Sequence, residues 1–289
     1  MIQSIRNLLA SPYNKKNLPF ALKRYVQWKL IRIFKRKNIH YRLWDNRTWI
    51  LDYDSLQSMW IMYNYILDWE EFNLIKSYVN TGDQIMDVGA NVGAYSVWMS
   101  KFVNPPGMLH SFEPDEENFK KLQMNISVNT IGDRVQANKC ALSDKEGILH
   151  FTTGLDRENH IADGKEENIV SVNSRTLDSY FEMNAISKVT YMKIDVEGFE
   201  YMVLKGARKI LSGKGIEILQ LEINDAVQNA GLSADDLLKL LAEFDYSLCR
   251  YDVEANQLIP IEYYKERENY FAVSDMKQIN LKLRSQDKR

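Results

Sequence analysis

The sequence predicts an α/β fold, a doubly wound parallel sheet carrying an N-terminal helical and hairpin extension. Three observations predict it. From residue 81 onward, short apolar runs alternate with stretches of helical period. The first run ends at Asp87 and turns through Gly89, Asn91 and Gly93 into a helix, and the second ends at a carboxylate, Glu113. Parallel strands need crossover connections, so strands alternating with helices argue for a parallel sheet. Ligands bind such open sheets beyond the carboxyl ends of the strands, where strand order reverses.

Taken in order, the 289 residues divide into an extension over 1–80, a main domain over 81–275 and a charged tail over 276–289. Cations running from Arg6 to Arg47 precede nearly every acid, so the net charge of -2 hides a basic first segment and an acidic remainder. Within that segment Leu22, Val26, Leu30, Ile33 and Phe34 recur at helical spacing, which predicts an amphipathic basic helix. Such a helix can lie on an anionic membrane surface, or attract an anionic glycan or lipid-linked substrate. A helix packed on its own domain, with its basic face in water, is the simpler reading. Residues 41–51 predict a hairpin turning at Asp45-Asn46, and 55–78 a single helix whose Met59, Trp60, Met62, Tyr63, Ile66, Leu67 and Trp69 are too apolar to face water all round.

In the main domain, strands are expected at 84–88, 108–112, 135–142, 191–194, 217–223, 246–251 and 270–273. Helices are expected near 95–102, 116–129, 200–211 and 233–244, the last opened by a capping box between Ser233 and Asp236. The polar stretch 154–168 reads as a binding loop. The tail after Asp275 reads as loosely ordered.

Composition excludes several classes. Apolar content of 45% and charged content of 26% are those of a globular protein. No run nears the roughly 20 apolar residues of a membrane span, and no secretory signal opens the chain, so a cytoplasmic protein is expected, with any membrane contact peripheral to the inner face. Cys140 and Cys249 stand apart, which suggests neither a disulfide nor a thiolate metal site. The basic residues lack a nucleic-acid reading motif, so no nucleic-acid partner is expected. A homo-oligomer is compatible with the sequence.

The turn Asp87-Val88-Gly89-Ala90-Asn91-Val92-Gly93 suits a nucleotide, since glycines let backbone approach a ligand and the following helix offers unpaired N–H groups. Asp87 narrows the choice. A carboxylate at this edge repels a diphosphate but attracts the cationic amine and sulfonium of S-adenosylmethionine. The spacing also departs from the Gly-x-Gly-x-x-Gly of dinucleotide folds. Glu113, about 20 residues past the loop, can accept both ribose hydroxyl protons in either cofactor class. A nicotinamide-dependent oxidoreductase or epimerase therefore stands as the alternative, opposed by Asp87 and by the lack of a placed Tyr-x-x-x-Lys pair. A noncatalytic membrane adaptor with a vestigial pocket is opposed by the intact acids.

Together, the 87–93 turn, Phe112-Glu113-Pro114, Ala141-Leu142-Ser143-Asp144 and Lys193-Ile194-Asp195-Val196-Glu197-Gly198 resemble the FkbM family of methyltransferases, over about 83–273. The resemblance implies a Rossmann-like class I methyltransferase with seven strands, the last antiparallel, and O-methylation of a sugar, glycan or glycosylated natural product. It implies that Asp87 and Gly89 lie by the methionine part, Glu113 at the ribose, and Cys140, Ala141, Leu142 and Ser143 along adenine, with Asn91, Gly93 and Pro114 also among the cofactor-binding residues. Asp195 would stand by the methionine amine or the reacting methyl.

Methyl transfer asks the protein to align the acceptor oxygen and take its proton. Asp195, Glu197 and Glu200 follow the fourth strand, and Glu222, Asn224 and Asp225 the fifth, so these ends are expected to meet beside the methyl group. They can supply a base or hold a divalent cation; the cation is not favoured, and no metal ligand is assigned. His160, in the polar loop, is the candidate histidine, with Asp195, Glu197 and Glu222 as candidate catalytic acids. His40, His110 and His150 read as structural, and Cys140 as a packing residue.

Overall fold

The computed structural model describes residue 8 and residues 11–43, 46–66, 68–152, 169–223, 232–265, 267 and 269–286. In the described part of the extension, helices Pro12–Lys16 (α1) and Leu18–Ile33 (α2) precede the hairpin. Strands Ile39–Leu43 (β1) and Arg47–Leu51 (β2) pair antiparallel where the hairpin is expected, with Asn46 at φ 75°; Asp45 lies outside the described residues. The single helix expected over 55–78 is two, Leu56–Asn64 (α3) and Trp69–Tyr78 (α4). The break falls at Tyr65, whose φ of 65° no right-handed helix can continue. Unbroken apolar periodicity concealed it.

The main sheet has eight strands among the described residues. Its order is Gln257–Pro260 (β12), Ser247–Asp252 (β11), Asn269–Val273 (β13), Ile216–Glu222 (β10), Val189–Ile194 (β9), Gln84–Val88 (β3), Met108–Phe112 (β4) and Val135–Asn138 (β5). Seven are the expected strands, and β13 runs antiparallel to both neighbours, β10 and β11. The eighth, β12, folds back on β11 as an edge hairpin. Strand order reverses between β3 and β9, so the glycine turn after β3 and the acids after β9 leave the same end of the sheet. The strand expected over 135–142 divides. Only β5 joins the main sheet, while Ala141–Leu142 (β6) pairs with Ile169–Arg175 (β8), itself antiparallel to Gly147–Thr152 (β7).

Strand alternation splits the core between two faces. Ile85, Tyr191 and Ile218 join the cluster that includes the extension, whereas Met86, Met192 and Leu219 join the opposite one. Helices Ala94–Met99 (α5) and Glu116–Val128 (α6) cross between β3, β4 and β5, and Leu177–Met183 (α7) follows β8. The helix expected over 200–211 is two short ones, Glu200–Lys205 (α8) and Arg208–Ser212 (α9), while Ala234–Glu243 (α10) carries the expected capping box.

The tail corrects the reading of a loose segment. Residues Met276–Gln286 form a helix (α11) that buries Ile279 and Leu283, and Asn280 bonds the backbone N–H and C=O of Leu258 at 2.7 and 3.0 Å. Among the described residues no helix is long and apolar enough to cross a membrane.

Candidate active site

A cleft of about 360 Å³ lies at the carboxyl ends of β3, β4, β9 and β10, within the range of small-molecule sites. Its floor follows from strand register. Asp87 pairs with Lys193, which pairs with Gln220, so three polar side chains from adjacent strands stand side by side on one face. All three are buried. Asp87 Oδ2 accepts from Ser96 Oγ at 2.6 Å, while Oδ1 is buried without a hydrogen-bond partner, 4.0 Å from Lys193 Nζ. Burial pushes the Asp87 carboxyl up, against the Lys193 charge and the Ser96 bond. Lys193 donates to Asp195 Oδ2 at 2.8 Å and lies 4.8 Å from the Tyr95 ring centre. Burial disfavours its ammonium, but the charges of Asp195 and Asp87 outweigh that and push it up to about 12.

The glycine turn wraps over this floor. Gly89 and Ala90 donate to the Phe112 carbonyl at 3.1 and 2.9 Å, which ties the turn to the end of β4. At φ 80°, a Cβ on Gly89 would sit 1.8 Å from the Asp195 carbonyl oxygen, so backbone-to-backbone approach requires glycine here. Glu113 is held from both sides, with Oε2 accepting from Asn91 N at 2.8 Å and Oε1 from Asp115 N at 2.9 Å. Burial still pushes its carboxyl up to about 8. Each oxygen keeps acceptor capacity toward the cleft.

Pro114, Cys140, Ala141 and Leu142 form the wall beyond Glu113. Two expected residues stand behind it. Gly93 packs beside Leu122, and Ser143, buried, donates its N–H to the Arg175 carbonyl at 2.9 Å; neither lines the cleft. Burial pushes the Cys140 thiol up to about 11, as fits a packing residue. His110 is buried between Tyr180 and Gln84, its pKa lowered by burial to about 4.

Opposite, Asp195, Glu197 and Glu222 converge from the ends of β9 and β10, each with an oxygen within 4.8 Å of the others'. Burial first, then the negative charges of Asp195 and Glu197, push the Glu222 carboxyl up to about 9. Glu200 faces inward instead, accepting from Val196 N at 3.0 Å and holding the loop. His160, Asn224 and Asp225 lie outside the described residues.

Several lining residues were not among the expected site residues: Asp68, Tyr95, Lys193, Gln220 and Asn269. Lys193 stood inside the quoted Lys-Ile-Asp-Val-Glu-Gly run, but only register shows it beside Asp87. Of the aromatics on the 55–78 segment, Trp60 lines the cleft, Tyr63 is buried in the core, Tyr65 stacks on Tyr13 and Trp69 carries Lys16.

The lining charges are one-sided. Six are acidic side chains, namely Asp68, Asp87, Glu113, Asp195, Glu197 and Glu222, against one cation, Lys193, among the described residues, and they stay in excess of it even with protons held on Glu113 and Glu222. A cationic nucleoside fits such a cleft: a buried acceptor oxygen of Asp87 lies beneath the turn, and Glu113 offers oxygens to ribose hydroxyls. A diphosphate would meet repulsion.

Comparison with known proteins agrees. The family model described as the methyltransferase FkbM domain matches residues 87–248. A hexuronic acid methyltransferase, AglP, from Haloferax volcanii is 24% identical over 193 residues, covering 65% of this chain and 74% of that protein. The 31-O-demethyl-FK506 methyltransferase FkbM from Streptomyces tacrolimicus is 26% identical over 166 residues, 56% of each. A solved FkbM methyltransferase from Methylobacillus flagellatus superposes with a TM-score of 0.43 and 18% identity, over 66% of this chain and 43% of that one.

Proposed function

This chain belongs to the FkbM family of methyltransferases, and on that footing we propose that it moves a methyl group from S-adenosylmethionine to a hydroxyl of a sugar, glycan or glycosylated natural product. The observation that carries the reading is the cleft lined, among the described residues, by six acidic side chains and one lysine. Bound there, the cofactor supplies a methyl group on positive sulfur, which makes the carbon electrophilic.

The remaining work belongs to the chain. Asp87, beneath the turn, answers the positive charge of the methionine part, and Glu113, fixed by two backbone N–H groups, takes the ribose hydroxyls. Pro114, Ala141 and Leu142 enclose the adenine. Asp195 and Glu222 act together: with Glu222 raised to about 9, the pair holds one proton near neutral pH, and the ammonium of Lys193 keeps the other charge on Asp195. That remaining negative charge accepts the proton of the acceptor hydroxyl, with Glu197 beside it.

The mouth supports a hydroxyl-rich acceptor. Trp60 is partly exposed there and can cover a sugar ring, while Gln57, Asn64 and Asn269 offer amides to its hydroxyls. Similarity to AglP supports a sugar acid as a relative's substrate, but the carboxylates here favour a neutral ring. The test is transfer of an isotope-labelled methyl group from S-adenosylmethionine to a panel of neutral and uronate-bearing glycans. The expected product carries the label as an O-methyl ether on a neutral ring; label only on carboxylate esters or nitrogen would refute the reading.

A further inference from the structure

The extension presents a surface that methyl transfer does not use. Along α2, Leu18, Leu22, Val26, Leu30 and Ile33 are exposed by 41% to 71%, and Phe34 just past its end by 65%. Ala21, Arg24, Trp28 and Ile31 on the same helix are 0% to 9% exposed. At about 100° per residue these sets fall on roughly opposite sides. The helix is therefore anchored by one face, and the face turned to solvent carries an apolar stripe, with Lys29 within it, its ammonium over the Tyr25 ring, and Lys23 at its edge. That reverses the pattern expected of a helix packed on its own domain, whose outer face is polar.

The anchoring is specific. The buried Arg24 guanidinium donates to Asn14 Oδ1 at 2.6 Å and to the Met62 carbonyl at 3.1 Å, and Asn14 donates to the Tyr63 carbonyl at 2.7 Å. These bonds fasten α2 to α3, the helix that brings Gln57, Trp60 and Asn64 to the cleft. The apolar stripe thus has a fixed orientation relative to the acceptor side of the site.

Charge identifies what covers the stripe. No acid occurs before Asp45, and Lys23, Arg32, Lys35 and Arg36 are exposed along and just beyond the helix. A second copy of the same helix would bring cations against cations, whereas an anionic lipid surface offers negative headgroups above an apolar layer. We propose that α2 docks the protein in the plane of an anionic membrane surface, with the Leu22, Val26, Leu30 and Ile33 stripe inserted among the acyl chains and the flanking lysines and arginines against the headgroups.

Co-sedimentation of the full chain with vesicles tests this. Wild type should pellet with phosphatidylglycerol/phosphatidylcholine vesicles, lose binding as salt rises, and stay in solution with phosphatidylcholine alone. The double variant V26N/L30Q, altered only at exposed positions, should bind on the order of tenfold more weakly or worse, a loss of about 1.4 kcal/mol, while its thermal midpoint and S-adenosylhomocysteine affinity match wild type. Equal binding by wild type and variant would overturn the proposal. So would absence of vesicle binding accompanied by self-association that the variant abolishes.

Discussion

Glu222 shows how single residues at this site couple charge to stability. Its carboxyl ordinarily titrates near 4.5, and in the fold it is raised to about 9, by burial and by the charges of Asp195 and Glu197. The folded chain therefore holds a proton that the unfolded chain releases. The resulting stabilisation is full below about pH 4.5 and is lost as pH rises toward about 9. Across the upper part of that window, the thermal midpoint of wild type should fall with rising pH. Glu222→Gln, similar in shape and uncharged, should flatten that slope; parallel slopes for the two proteins would contradict the proton-sharing pair. At this scale the sequence was legible where chemistry sits in a contiguous motif. Asp87, Gly89, Asn91 and Glu113 all reach the cleft because turn and strand end are local features. Lys193 and Gln220 were not legible as partners of Asp87. Their adjacency comes from parallel register between strands about a hundred residues apart, and a sequence displays no register.

Elements were legible in proportion to the strength of their periodicity. The β3, β4, β9 and β10 strands are short apolar runs and stand where expected. The α11 helix was hidden because it buries only Ile279 and Leu283, one turn apart in a polar stretch. Those two contacts, with the Asn280 bonds to Leu258, make it part of the folded unit. Leu283→Ala should therefore cost about 2–5 kcal/mol, read as a lowered denaturation midpoint; an unchanged midpoint would return the tail to a loose appendage. The α3–α4 break was hidden for the opposite reason, since apolar residues continue straight through Tyr65. For α2, the spacing of Leu22, Val26, Leu30 and Ile33 gave the helix correctly but not its orientation. The apolar residues that looked like its packing face are the exposed ones, because Trp28 and the buried Arg24 anchor the other side.

At the scale of the whole molecule, topology and charge converge on one opening. The sheet reverses strand order between β3 and β9, which brings the glycine turn, the Glu113 loop and the acids after β9 and β10 to one opening. That opening is acidic, although the chain's net charge is only -2, because the strand ends gather Asp87, Glu113, Asp195, Glu197 and Glu222 there with Lys193 as the one cation among the described lining residues. Charge segregation was visible in the sequence; its alignment with the cleft required the fold. Central to the account is selection of a positively charged nucleoside by that opening, and calorimetric titration tests it most directly. Wild type should bind S-adenosylmethionine and S-adenosylhomocysteine and give no binding heat with NAD, and Asp87→Asn should weaken S-adenosylmethionine by about tenfold or more, about 1.4 kcal/mol, while remaining folded. Binding of NAD in place of both nucleosides, or undiminished S-adenosylmethionine affinity in Asp87→Asn, would contradict it.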